Sequence, residues 1–177
     1  MRVPGGLPRS PTRRRPRSIR LGIVAVALVL ASSGCLAPGP NGLRNGFLPD
    51  SVLSTVNANC RIWQPAAPSL LWMMASAIVD GVDLQPESCY RTFAEQVALR
   101  NYWCGLGLCQ FAAVPGTSTH GWGKAVDFQD QDGELTFQSP GYAWLQAHAY
   151  FFCFHHPAFA EPNGVAPEPW HWEWNCG

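Results

Sequence analysis

An eleven-residue apolar run, LGIVAVALVLA at positions 21–31, divides this 177-residue chain and limits which part of it can fold. It is about half of the roughly 20 residues a helix needs to cross a bilayer. Seven of the twelve basic side chains (Arg2, Arg9, Arg13, Arg14, Arg15, Arg17 and Arg20) precede it, and Ser32, Ser33 and Gly34 follow it. A basic stretch, a short apolar run and a small-residue exit describe a secretory signal peptide. The formal neutrality of the chain is then an average over two unlike parts. The first acidic residue is Asp50, and from Cys35 onward five basic residues face twelve acidic ones, a net charge of −7. That argues against a nucleic-acid partner, because phosphate contacts need clustered Lys and Arg. With nine Phe, eight Trp and four Tyr in the chain, the remainder is too apolar for disorder and should fold around one core.

The small residues before Cys35 resemble the lipobox of bacterial lipoproteins, which implies a lipid on Cys35 and a new N-terminus there. Plain cleavage and an uncleaved anchor are the alternatives. Residues 36–50 (LAPGPNGLRNGFLPD) are dense in Pro, Gly and Asn and read as a tether. The expected division is a leader over 1–34, a tether and lead-in over 35–59, and a folded domain over 60–177. Beyond Cys35 lie six cysteines (Cys60, Cys89, Cys104, Cys109, Cys153 and Cys176), an even number that suits disulfides in an oxidising compartment. Only the pair Cys104 and Cys109 is suggested by spacing. No C-x-x-C pair is present, which argues against a zinc–thiolate cluster.

Within the domain, Leu70, Leu71, Met74 and Ile78 at helical spacing predict a buried amphipathic helix over 67–79, its Met and Trp in the core. A strand is expected from Leu84 to Arg91, then a helix capped by Thr92, with Glu95 completing the capping-box pattern, to about Tyr102. A loop from Cys104 to Gly123 leads to a strand around Ala125 to Gln129 and an acidic turn at Asp130, Asp132 and Gly133. Ser139 and Pro140 start a helix that runs to about His148. After a Pro-rich loop, the alternation of Trp, His and Glu over Trp170 to Trp174 fits a half-buried final strand. Helices and strands interspersed without long crossovers indicate a compact α+β domain.

Two clusters carry chemistry: Ser118-Thr-His120-Gly-Trp-Gly123-Lys-Ala125-Val-Asp127 and Glu168-Pro-Trp-His171-Trp-Glu173. Two neutral imidazoles and a carboxylate make a three-ligand site that leaves a fourth position open, as catalytic zinc requires. Gly121 and Gly123 let the chain turn between His120 and Asp127, because glycine tolerates positive φ and close backbone approach. Five fixed positions, S-x-H-x-x-G-x-A-x-D, arise by chance in such a chain with probability on the order of 10⁻⁴. His148, His155 and His156 lack such a pattern and read as hydrogen-bonded core or surface residues. In a regular strand Glu173 shares a face with His171 and Glu168 does not. Pro169 disrupts regular pairing and places Glu168 in the loop entering the strand, from which it can reach the site.

These clusters resemble the signature of the VanY-like D-alanyl-D-alanine carboxypeptidases, part of the lysostaphin, D-Ala-D-Ala peptidase and hedgehog-like group of zinc proteins. Ser88-Cys89-Tyr90-Arg91-Thr92 with Gln96 is similar to that family's S-G-Y-R-S segment and following helix. The resemblance covers roughly residues 60–177. It implies a hedgehog/D-Ala-D-Ala-peptidase-like fold with a small, mainly antiparallel sheet and helices packed around it. It further implies one Zn2+ held by His120, Asp127 and His171, with Glu168 as catalytic carboxylate, Arg91 facing the scissile carbonyl oxygen, and Ser118, Tyr90 and Gln96 touching substrate. Glu173 would orient His171. Cys89 departs from the family's Gly and points to a disulfide. The expected substrate is a peptidoglycan stem peptide ending in D-Ala-D-Ala, cut by a monomer at the outer face of the cytoplasmic membrane or in the cell wall. An endopeptidase of the same chemistry and a non-catalytic wall-binding module are the alternatives.

Overall fold

The computed structural model describes residues 42–176; the basic leader, the apolar run and Cys35 lie outside them. Among the described residues no helix is long and apolar enough to cross a membrane. A short antiparallel ribbon comes first, β1 (Leu53–Thr55) with β2 (Arg61–Trp63), followed by helix α1 (Ala67–Val79). Then come β3 (Gln85–Ser88), α2 (Phe93–Gly105), β4 (Ala125–Asp130), β5 (Gly133–Glu134), α3 (Pro140–His148), β6 (Phe154–His155) and β7 (His171–Trp174). The main sheet runs β3-β4-β7-β6, with β5 as a hairpin partner of β4, and every pairing is antiparallel.

Side-chain alternation gives this sheet two unlike faces. Val126, Phe128, Trp172 and Trp174 point into the core with Leu70, Met73 and Leu145 from the helices. Asp127, His171 and Glu173 point to the opposite face. The register puts Asp127 opposite His171 on one side and opposite Ser88 on the other.

Local signals place the helix starts. Thr92 Oγ1 accepts from the Glu95 N–H at 3.2 Å while Glu95 accepts from the Thr92 N–H at 2.7 Å, a complete capping box that opens α2. Ser139 occupies the cap of α3 by backbone only: its hydroxyl accepts from the Thr136 N–H, and buried Asp130 takes the Gly141 N–H at 2.9 Å instead. The carboxylate suits that helix start, where backbone N–H groups lack partners.

Two expectations are corrected. On α1 the buried positions are Ala67, Leu70, Met73 and Ala77, whereas Leu71, Trp72 and Ile78 are 52%, 69% and 58% exposed. The helix is apolar almost all round, so spacing alone does not set which stripe packs. The tether reading of residues 36–50 does not hold over its described part, residues 42–50. Asn45 and Leu48 are buried, and β1 is paired into the ribbon. Here Pro, Gly and Asn make tight turns against the domain. The cysteines pair Cys60 with Cys89, Cys104 with Cys109 and Cys153 with Cys176.

Candidate metal centre

A 3-10 turn, Thr119–Trp122, carries His120 and ends at Gly123, whose φ of 62° lies in the left-handed region that favours glycine. The chain then enters β4 and delivers Asp127 beneath the imidazole. His171 arrives from the neighbouring strand β7. His120 Nε2 lies 3.1 Å from Asp127 Oδ1 and 3.2 Å from His171 Nδ1, and His171 Nδ1 lies 3.0 Å from Asp127 Oδ1. Zinc held by nitrogen and oxygen at about 2.0–2.1 Å in tetrahedral geometry separates its ligand atoms by about 3.3 Å, so the triangle is of the right size.

Outer hydrogen bonds decide which ring nitrogens face inward. His120 Nδ1–H donates to the Cys89 carbonyl at 2.6 Å, and His171 Nε2–H donates to Glu173 Oε1 at 3.1 Å. The inward lone pairs of His120 Nε2, His171 Nδ1 and Asp127 Oδ1 therefore converge, and only a proton or a cation can satisfy them together. Among the described residues this trio is the cluster of His, Cys, Asp and Glu able to hold a metal ion. Its donor set of two imidazoles and a carboxylate fits zinc.

Charge in the site follows the same pairing. Burial pushes the Asp127 carboxyl up, but the charges and hydrogen bonds of the two imidazoles outweigh it and hold it far below the usual carboxylate range. Burial pulls His120 down, more than Asp127 raises it. Burial also opposes the charged form of His171, yet its hydrogen bonds to Asp127 and Glu173, with their charges, raise it to about 9. Without a metal ion, this is where a proton sits.

Arg91 leans over the trio from the segment between β3 and α2. Its guanidinium donates to Gln96 Oε1 at 3.0 Å, Ser88 Oγ at 3.2 Å and Asp127 Oδ2 at 3.4 Å. Glu168 lines the same cavity, of about 880 Å³, along with Arg91, Ser118 and the metal trio. Burial raises the half-buried Glu168 carboxyl to about 7. Its backbone is clamped: the N–H donates to the Ala160 carbonyl at 2.9 Å, and its own carbonyl accepts from His171 N–H and His156 Nε2–H, both at 3.0 Å. Trp172 Nε1–H donates to the Pro169 carbonyl at 3.1 Å, which fixes the loop beside it.

The structure therefore brings His120, Asp127, His171, Glu168, Glu173, Arg91 and Ser118 together. Two expected substrate contacts are placed otherwise. Tyr90 turns away from the cavity, its hydroxyl accepting from the Leu48 N–H at 2.9 Å and its ring covered by Arg61. Gln96 is buried with both ends of its amide committed, one to Arg91 and the other to the Ala113 carbonyl at 2.9 Å. The first of these contacts holds the Arg91 guanidinium. His156, read from the sequence as a hydrogen-bonded core or surface residue, is half-buried, and its contact with Glu168 across twelve positions has no local signal. Asn45, buried beside the His120 turn, lies in the stretch read as a tether.

A family model described as VanY, D-alanyl-D-alanine carboxypeptidase, matches residues 59–177. The chain belongs to the VanY family. A D-alanyl-D-alanine carboxypeptidase of Enterococcus faecalis is 40% identical to it over 67 residues, which are 36% of this chain and 25% of that relative. The matched stretch thus spans about a quarter of the relative's length. Among solved structures, VanYB in complex with D-alanine-D-alanine is similar over 78% of this chain and 85% of that one, with 27% identity and a TM-score of 0.62. A mutant of the vancomycin-resistance D,D-pentapeptidase VanY in complex with Zn(II) shares 29% identity over 72% of this chain and 82% of its own, with a TM-score of 0.58. The LD-carboxypeptidase LdcB is 25% identical over 75% of this chain and 71% of its own, also with a TM-score of 0.62. These VanY-family and related structures share the antiparallel sheet and flanking helices described above.

Proposed function

We propose that this chain is a zinc-dependent D-alanyl-D-alanine carboxypeptidase, exported to act on peptidoglycan stem peptides. The observation that carries the reading is the convergence of three lone pairs from His120, Asp127 and His171 in one cavity with Glu168, a carboxyl raised to about 7. Family membership and the zinc and D-alanine-D-alanine complexes of similar proteins support it. The leader would direct export, and a lipid on Cys35 would keep the domain at the outer face of the cytoplasmic membrane.

His120, Asp127 and His171 would hold the zinc, which would supply Lewis acidity to a water and to the scissile carbonyl. Glu168 accepts a proton from the attacking water on its carboxylate and returns it to the leaving amine nitrogen. A carboxyl near 7 suits both transfers, because a general base works best with its pKa near the working pH. Arg91, held by three acceptors, presents positive charge to the oxygen of the scissile carbonyl as it becomes an oxyanion. Loss of one such donor costs about 3 kcal/mol in the barrier. Glu173 keeps His171 in the tautomer that turns Nδ1 inward.

The test is release of D-alanine from a pentapeptide ending in D-Ala-D-Ala, together with metal analysis of the purified chain. Bound zinc and loss of one D-Ala are expected, with kcat/KM falling as pH drops through about 7. Glu168→Ala should retain zinc and lose about 10²–10⁴-fold in turnover. If Glu173→Ala behaves that way and Glu168→Ala stays active, the base is Glu173. The likeness to LdcB, equal in TM-score to that with VanYB, makes the tetrapeptide the substrate to run beside it. Cleavage of the tetrapeptide alone would make the chain an L,D-carboxypeptidase.

A further inference from the structure

We infer that residues 44–48 form a strap that positions His120 for metal binding, with Asn45 as its positioning residue. The strap precedes the stretch matched by the family, which begins at residue 59. This rests on the reading that His120, Asp127 and His171 hold zinc.

Asn45 is only 4% exposed although its side chain is polar, and it lies against the turn that carries His120. Its Nδ2–H donates to the Ser118 carbonyl at 2.7 Å. That carbonyl also accepts the turn's own Gly121 N–H, at 3.0 Å. The next residue, Gly46, donates its N–H to the Gly121 carbonyl at 2.8 Å and accepts the Phe93 N–H at 2.9 Å, satisfying one of the free donors at the start of α2. Leu48 N–H closes the strap on Tyr90 Oη. Phe47 stacks on Phe93 at 5.2 Å, under the Arg44 guanidinium.

Both glycines at the contact are explained by the strap. Gly46 has a φ of 77°, and a Cβ there would lie 2.5 Å from Phe93 N. Gly121 does not have a positive φ, so its turn alone does not require glycine. A Cβ on Gly121 would instead meet Asn45 Oδ1 at 1.9 Å and Asn45 Cγ at 2.6 Å. The strap thus presses on the backbone of the His120 turn from one side, and the Cys89 carbonyl and the Arg91 N–H hold His120 from the other. An imidazole held from two sides keeps its metal-facing nitrogen in place. Releasing one side should weaken the metal, as loss of partners beyond the direct ligands typically costs 10–100-fold in affinity.

The experiment measures zinc affinity of the full chain by chelator competition, with thermal melts in excess chelator as a check on folding. Asn45→Ala should melt cooperatively and bind zinc about tenfold more weakly than the unaltered chain. Gly121→Ala, which drives a methyl into Asn45, should also weaken zinc, and adding Asn45→Ala to it should restore part of the affinity by removing the clashing atoms. Zinc affinity of Asn45→Ala equal to the unaltered chain, or a double variant no better than Gly121→Ala, overturns the inference. So does an Asn45→Ala chain without a cooperative melt, which would make Asn45 a determinant of the whole fold. An unaltered chain that folds but binds no zinc overturns the metal reading on which the inference rests.

Discussion

The turn that carries His120 and the strand that carries His171 each bring an imidazole nitrogen to one point, Nε2 from the first and Nδ1 from the second, by different chemistry. His120 gives its outer N–H to a neutral backbone carbonyl, and burial keeps it below the usual histidine range. His171 gives its outer N–H to the Glu173 carboxylate and is raised to about 9. One imidazole is neutral by burial, and the other is made basic by an adjacent charge. A metal ion therefore competes with a proton at His171 and hardly at all at His120.

Removing the charge from one half should break this contrast most sharply. Glu173→Gln keeps the shape but not the charge, and zinc should bind about 10–100-fold more weakly. The same change should flatten the pH dependence of zinc binding between pH 6 and 8. Unchanged affinity would mean that Glu173 does not tune His171.

A second outcome concerns stability without metal. His171 is raised from an ordinary 6.5 to about 9, so the stability from its proton is fully present below about 6.5 and is lost as pH rises through about 9. Melting temperatures in excess chelator should fall over that window. With saturating zinc the fall should disappear, because the metal replaces the proton on a neutral imidazole. A flat profile in chelator would separate His171 from this linkage. The smallest effect is expected at Gln96→Ala, which removes one of three acceptors holding Arg91. A hydrogen bond to a charged group is worth about 1.5–3 kcal/mol, and with two acceptors left to hold Arg91 a loss of about tenfold in turnover is expected, with zinc affinity unchanged. Zinc loss in that variant would tie Arg91 to the metal and not to the substrate.

How far the site is legible depends on how far apart its parts lie. Ser118 to Asp127 is a single short motif, and its turn and strand follow from spacing and Gly123, whereas Gly121 is required by Asn45 and not by the turn. Trp170 to Trp174 alternates cleanly, which places His171 and Glu173 on one face of β7. Glu168 is harder. Its separation from that face follows from Pro169, but its clamp by His156 and Ala160 joins residues eight to twelve positions apart. Tyr90 sits between a site residue and a disulfide cysteine, and nothing local says that its hydroxyl meets Leu48. On α1, an apolar helix with exposed Trp72 and Ile78, periodicity could not choose among several stripes of similar hydrophobicity.

By itself the sequence determined the features whose physics is complete within a few residues. These are the capping box of Thr92 and Glu95, the helix start at Pro140, the left-handed turn at Gly123 and the two-residue alternation of β7. Only the tertiary structure decided the rest: the buried face of α1, the pairing of Cys60 with Cys89 and of Cys153 with Cys176, and the docking of residues 44–48 onto the His120 turn. Each of these depends on surfaces that meet from distant parts of the chain. Their free energy comes from shape and from buried polar partners, and neither is encoded in the spacing of neighbours.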